Sequence, residues 1–180
     1  HKVGKFFSRY NGNPMLLTML GRIIALLTLI AGYYGFKTLI PLLIIVSSTL
    51  DWLDGAVARA SSRESKLGAF ADSVGDRVSD AAYLIALKYL GISVFLILLA
   101  IPVSLLVSYI RCRAESLNVS LEGIGIIERG ERVLLILSIA IISLVINPIY
   151  GNYLLALMVL LSSLTIIQRM LHVIRVLRGG

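Results

Sequence analysis

Three observations predict an all-α, polytopic membrane protein of six transmembrane helices with a short N-terminal amphipathic segment. The 180-residue chain is 58% hydrophobic with a mean hydropathy of +0.91. Only 15% of its residues are charged, against about 25% in a water-soluble domain. Its apolar residues fall in runs near the length of about 20 that a spanning helix needs. At this length the chain reads as a single membrane domain over 1–180, with 1–14 as a juxtamembrane arm.

The arm sets Phe6 and Phe7 among Lys2, Lys5 and Arg9. It either lies on the membrane surface or is a frayed end. Asn13-Pro14 then opens the first span, and the six predicted spans are 15–35, 38–60, 68–90, 92–113, 132–148 and 152–172. The second is apolar only to Leu50, and the third carries Asp72 and Asp76 in its first turns. Pro102 is expected to bend the fourth. Gly32, Gly35, Gly91, Asn147-Pro148 and Gly151-Asn152 read as tight turns. No stretch reads as a cleavable signal peptide. His1 in place of Met reads as a processed or expression-derived end.

Charge orients the spans. Of 17 Lys and Arg, only Lys37 and Lys88 fall on one side, and all ten acidic residues fall on the other. The positive-inside rule makes that second side cytoplasmic, with both termini, in a plasma membrane protein. The net charge of +7 reflects this clustering at span ends, and no nucleic-acid-binding motif accompanies it. Cys112, the single cysteine, gives no disulfide framework.

Four aspartates interrupt the apolar pattern: Asp51, Asp54, Asp72 and Asp76. A carboxylate beside a bilayer core is costly and is normally kept for ions, protons or chemistry. At about 100° per residue, Asp51, Asp54, Gly55, Ala58 and Arg59 share one face of the second span. Gly68, Asp72 and Asp76 share one face of the third. A short connection would make the two helices antiparallel neighbours. Four converging anions repel, and hard divalent cations such as Mg²⁺ or Mn²⁺ relieve that repulsion. A pair of metals about 4 Å apart is a common device for displacement at phosphorus. Gly55, Ala58 and Gly68 allow a large ligand to approach the backbone, and Arg59 can pair with phosphate oxygens. Asp80 extends the series and either supports the cluster from behind or is inert. Glu64 reads as a solvated loop charge.

The pattern Asp51-x2-Asp54-Gly55-x2-Ala58-Arg59-x8-Gly68-x3-Asp72-x3-Asp76 resembles the complete signature of the CDP-alcohol phosphotransferase family. The resemblance implies transfer of a phosphatidyl-type group from a CDP-linked lipid to an alcohol, with release of CMP. It further implies that Asp51, Asp54, Asp72 and Asp76 hold two divalent cations, and that Asp76 is the general base. Asp51, Gly55, Ala58, Arg59, Gly68 and Asp72 would border the CDP group. A homodimer with a cytoplasmic-facing cavity is also implied.

Further cations bear on the acceptor. Arg111 and Arg113 end the fourth span, Arg129 and Arg132 lie around the next connection, and Arg169 ends the last span. Cations beyond those a pyrophosphate needs point to an anionic acceptor, most simply a phosphate ester. These segments resemble the inositol-phosphate branch, the phosphatidylinositol phosphate and archaetidylinositol phosphate synthases. There Ser108, Arg111, Arg132 and Arg169 would contact the acceptor phosphate, with Arg129 also in the set and Arg113 at its margin. A lysine often stands at the position of Arg111 in that branch. The other reading of these arginines is headgroup anchoring, the favoured one for Arg175 and Arg178; His172 reads as interfacial. Arg22, inside the first span, either snorkels or lines the cavity. Glycerol 3-phosphate is the alternative acceptor, and a cation or proton-coupled transporter the alternative class. The lipid tails stay open between diacylglycerol and archaeol.

Overall fold

The structure is a computed structural model that describes residues 14–61 and 66–179, with side chains described over 18–53 and 66–179. The arm 1–13 and Glu64 lie outside the described residues. Six α-helices account for the described chain: α1 (Pro14–Tyr33), α2 (Leu39–Ser61), α3 (Lys66–Ala86), α4 (Val94–Ser116), α5 (Arg129–Val145) and α6 (Pro148–Gly179). A short 3₁₀ turn, Leu87–Leu90, follows α3. There is no strand among the described residues. The helices follow the six predicted spans within a few residues, apart from the ends of α6. Two of them, α4 and α6, are long and apolar enough to cross a membrane.

The chain forms two compact units, His1–Leu90 and Gly91–Gly180. In the first, α1 packs against both α2 and α3. Ala25, Ile40, Ile44, Tyr83 and Leu87 are its fully buried core. Expected as antiparallel neighbours, α2 and α3 are joined by side-chain bonds among the described residues. The two meet where buried Tyr83 donates to the Ser47 hydroxyl at 2.6 Å, and Ser47 donates to the Gly21 carbonyl at 2.7 Å. That chain of bonds ties all three helices together at a level where an unpaired hydroxyl would be costly.

In the second unit α6 packs against α4 and α5, with Val107, Ile136, Ile139, Leu155 and Met158 buried. The helix α4 runs through Pro102. It closes at Asn118, whose positive φ of 58° suits an asparagine in the left-handed region. The start of α5 falls three residues before the expected span. There the Glu131 carboxylate accepts from the Glu128 backbone N–H at 2.8 Å, satisfying a donor at the helix start.

Two of the expected turns are not turns. Gly35 and Gly91, with φ of 79° and 87°, do reverse the chain. Gly32, however, lies inside α1, and Gly151 with Asn152 inside α6. A Cβ on Gly32 would stand 2.2 Å from the Tyr89 ring, and one on Gly151 would stand 2.0 Å from Ser143 Oγ. These glycines serve close helix approach, the usual role of small residues between membrane helices. Large apolar side chains such as Leu98, Leu134, Val145 and Leu160 point outward, each more than half exposed.

Candidate active site

In the first unit, Arg22 of α1 reaches into the aspartate cluster. Its Nη1 donates to Asp51 Oδ1 at 2.5 Å. Its Nη2 donates to Asp72 Oδ1 and Asp76 Oδ1, each at 2.8 Å. The Arg22, Asp51 and Asp76 side chains are close to 10% exposed, whereas that of Asp72 is 51% exposed. Asp72 therefore marks the solvent-facing lip of the cluster. Arg77, next in the chain to Asp76, stands 3.7 Å from Asp76 Oδ2. Arg22 lines the cluster and does not snorkel, which decides between its two expected roles.

Two glycines make this possible. A Cβ on Gly75 would stand 2.2 Å from Arg22 Nε, and a Cβ on Gly21 would stand 2.9 Å from Asp51 Oδ1. Of the remaining signature positions, Asp54, Gly55, Ala58 and Arg59 lie on α2, with side chains outside the described set. Gly68 lies exposed in the first turn of α3, four residues before Asp72. Asp80 is buried one turn beyond Asp76, 5% exposed.

Three carboxylates touch one guanidinium, Asp51 at Nη1 and Asp72 with Asp76 at Nη2. Hard oxygens of this kind suit Mg²⁺ or Mn²⁺, so the residues fit the expected metals. Among the described residues no metal cage is already assembled; Arg22 is the cation that stands among the oxygens.

The second unit holds the other cluster. Arg132 and Arg169 are buried, 2% and 3% exposed. Arg169 donates from Nη1 to the Val107 carbonyl at 3.0 Å and from Nε to the Ile124 carbonyl at 2.9 Å. Arg111 and Arg132 both lie within electrostatic reach of Arg169, as do Glu115 and Glu128. Arg111 is exposed and donates from Nε to Glu115 at 2.9 Å. Ser108, one helical turn before Arg111, bonds back to the Ser104 carbonyl at 3.3 Å. Arg129 sits half-buried in the first turn of α5. Arg111, Arg132 and Arg169 repel one another, and Glu115 and Glu128 offset part of that repulsion. Arg113 is exposed and bonds to Ser116 of its own helix, while Arg175 and Arg178 are exposed on the last turns of α6.

The connection between α4 and α5 shapes this cluster. Thr165 Oγ1 accepts from the backbone N–H groups of Ile126 and Ile127 at 3.1 and 3.2 Å. Val119 and Leu121 pack with Ala114, Ile110, Ile124 and Val173. The loop backbone is thereby pinned to α6 beside Arg169.

A family model described as CDP-alcohol phosphatidyltransferase matches residues 12–173. The chain belongs to the CDP-alcohol phosphatidyltransferase family. The archaetidylinositol phosphate synthase of Aeropyrum pernix is 37% identical over 176 residues, 98% of this chain and 90% of that protein. The archaetidylinositol phosphate synthase of Pyrococcus horikoshii is 37% identical over 172 residues, 93% of this chain and 87% of that one. Among solved structures, the phosphatidylinositol phosphate synthase of Mycobacterium tuberculosis in complex with manganese and citrate superposes with a TM-score of 0.80. It is 26% identical, over 96% of this chain and 87% of that one. The same protein with CDP-DAG bound gives the same TM-score and identity, over 96% and 92%.

Membership of the CDP-alcohol phosphatidyltransferase family sets aside the transporter reading. Sequence reasoning left the place of Arg22 open and missed Gly21 and Gly75. The available signal was the small residue at 75, between Asp72 and Asp76, and the glycine beside an arginine in an apolar helix.

Proposed function

We propose that this CDP-alcohol phosphatidyltransferase moves a phosphatidyl-type group from a CDP-linked lipid to inositol phosphate and releases CMP, as a step of phospholipid biosynthesis. The observation that carries the reading is the convergence of Asp51, Asp72 and Asp76 on the Arg22 guanidinium, within the full family signature. The names of the relatives from Aeropyrum pernix and Pyrococcus horikoshii support the acceptor.

Asp51, Asp54 and Asp72, with Asp76, are the residues that would hold two divalent cations, Mg²⁺ or Mn²⁺. Bound there, the metals supply charge neutralisation for the pyrophosphate and the leaving CMP. Asp76 takes the proton from the acceptor hydroxyl, which attacks the phosphorus that carries the lipid. Gly55, Ala58 and Gly68 leave room for the nucleotide, and Arg59 pairs with its phosphates. Ser108, Arg111, Arg129, Arg132 and Arg169 receive the acceptor phosphate. Buried Arg132 and Arg169 give that contact a fixed direction, since a guanidinium fork matches phosphate oxygens two at a time.

All six helices cross the bilayer as a single domain, with the site and both termini on the cytoplasmic face of the plasma membrane. The outward apolar side chains of both units support that placement, and the active form is a homodimer. The lipid donor is CDP-archaeol or CDP-diacylglycerol. The test is CMP release by the purified protein with a CDP-linked lipid and either inositol 1-phosphate or glycerol 3-phosphate. Turnover with inositol 1-phosphate is expected; turnover with glycerol 3-phosphate alone would refute the acceptor.

A further inference from the structure

Arg22 stands outside the family signature, yet it holds three of the four aspartates through both ends of its guanidinium fork. The place is built for it. Gly75 and Gly21 leave the only kind of room that this crossing allows, because a Cβ at either would collide with Arg22 or with Asp51. The bonds fall on Asp51 Oδ1, Asp72 Oδ1 and Asp76 Oδ1, and these are oxygens a divalent cation would need. Arg22 Nε is buried and makes no hydrogen bond among the described residues.

We infer that Arg22 is a built-in competitor for the divalent cations. It offsets part of the negative charge of the carboxylate cluster in the metal-free protein and withdraws from the three Oδ1 atoms as metal loads. The inference rests on the proposed metal-dependent transfer. It assigns Arg22 two opposite effects. The arginine stabilises the metal-free fold, because without it the carboxylates of Asp51, Asp72 and Asp76 lose the cation that they share. It weakens metal binding, because only the fraction of molecules with the fork withdrawn is competent to bind. A residue that held the carboxylates in place for the metal would do the reverse and strengthen metal binding. A residue that only snorkelled would do neither.

The experiment measures Mn²⁺ binding to the detergent-purified protein by the electron paramagnetic resonance of free Mn²⁺. Unfolding temperatures are taken alongside, in chelator and in saturating Mn²⁺. Arg22→Gln is expected to bind Mn²⁺ roughly tenfold more tightly, as when a site nine-tenths blocked becomes fully available. Its unfolding temperature should fall in chelator and recover in Mn²⁺, so that the rise produced by metal is wider than in the parent. Unchanged or weaker Mn²⁺ binding overturns the inference. If Arg22→Gln does not fold, Arg22→Lys decides. Lysine keeps the charge but cannot bridge three carboxylates, so binding should tighten by a smaller factor, about threefold; no tightening overturns the inference. Asp51→Asn separates the two levels of the argument. A parent protein that binds no Mn²⁺, or an Asp51→Asn variant that binds it as before, would sink the metal site itself, independently of Arg22.

Discussion

Arg169→Lys tests the acceptor site most directly, because geometry makes the two cations unequal there. Arg169 is 3% exposed and divides its donors between two carbonyls on different segments, Val107 at 3.0 Å and Ile124 at 2.9 Å. A lysine has one compact ammonium and no fork. It can serve one carbonyl or the acceptor phosphate, not both carbonyls and the phosphate together. A hydrogen bond from a charged donor is worth about 1.5–3 kcal/mol. Loss of one such contact to the phosphate therefore raises the acceptor KM roughly 10- to 150-fold. Loss of one carbonyl bond costs the fold about the same free energy, seen as a lower unfolding temperature. The assay is CMP release at saturating CDP-linked lipid across a range of inositol 1-phosphate, repeated with the two substrates exchanged. The KM for the lipid should stay within about twofold, since uniform binding of that substrate is untouched. An unchanged acceptor KM in a folded variant would refute the assignment of Arg169, and so would an equal rise in both KM values.

Asp76→Asn keeps the shape of the side chain but cannot take a proton, so CMP release should be lost while CDP binding, followed by calorimetry, is largely kept; full turnover would refute the base. Gly151→Ala places a Cβ 2.0 Å from Ser143 Oγ and 2.7 Å from Ile92 Cδ1, an overpacking expected to cost about 1–3 kcal/mol in thermal unfolding, with KM values unchanged. Tyr83→Phe removes the buried donor to Ser47 and should cost about 1 kcal/mol in denaturant unfolding; no loss of stability would mean that the hydroxyl does not tie α3 to α2.

Much of the helical layout was legible in the sequence because apolar helices announce themselves by length and composition, and because carboxylates among them are few. The helical repeat placed Asp72 and Asp76 on one face of α3, and the structure brings both, with Asp51, to one point. What escaped the sequence was lateral. Periodicity describes a helix against its own axis but does not say which neighbour it meets, so α1 was not expected to carry packing to both α2 and α3. For the same reason Gly32 and Gly151 read as breakers, since glycine permits a turn and permits contact equally. Only the Tyr89 ring and the Ser143 hydroxyl, each distant in sequence, decide between the two. The start of α5 was set by a local bond, Glu131 to the Glu128 backbone, at a residue type not usual before a helix.

The way Arg169 is held has an evolutionary consequence. Its partners are main-chain carbonyls, which every residue type supplies. The side chain at Ile124 therefore answers to its packing with Val119 and Leu121 and not to the arginine, which needs only that the backbone keep its path. That burden falls on Gly125, whose φ of 132° suits glycine and whose added Cβ would stand 2.6 Å from Thr165 Cγ2. In a saturation mutagenesis of this connection, tolerance should change between two adjacent codons, extending to apolar residues at 124 and narrow at 125. The path of the backbone beside Arg169 is thus guarded by a residue with no side chain at all.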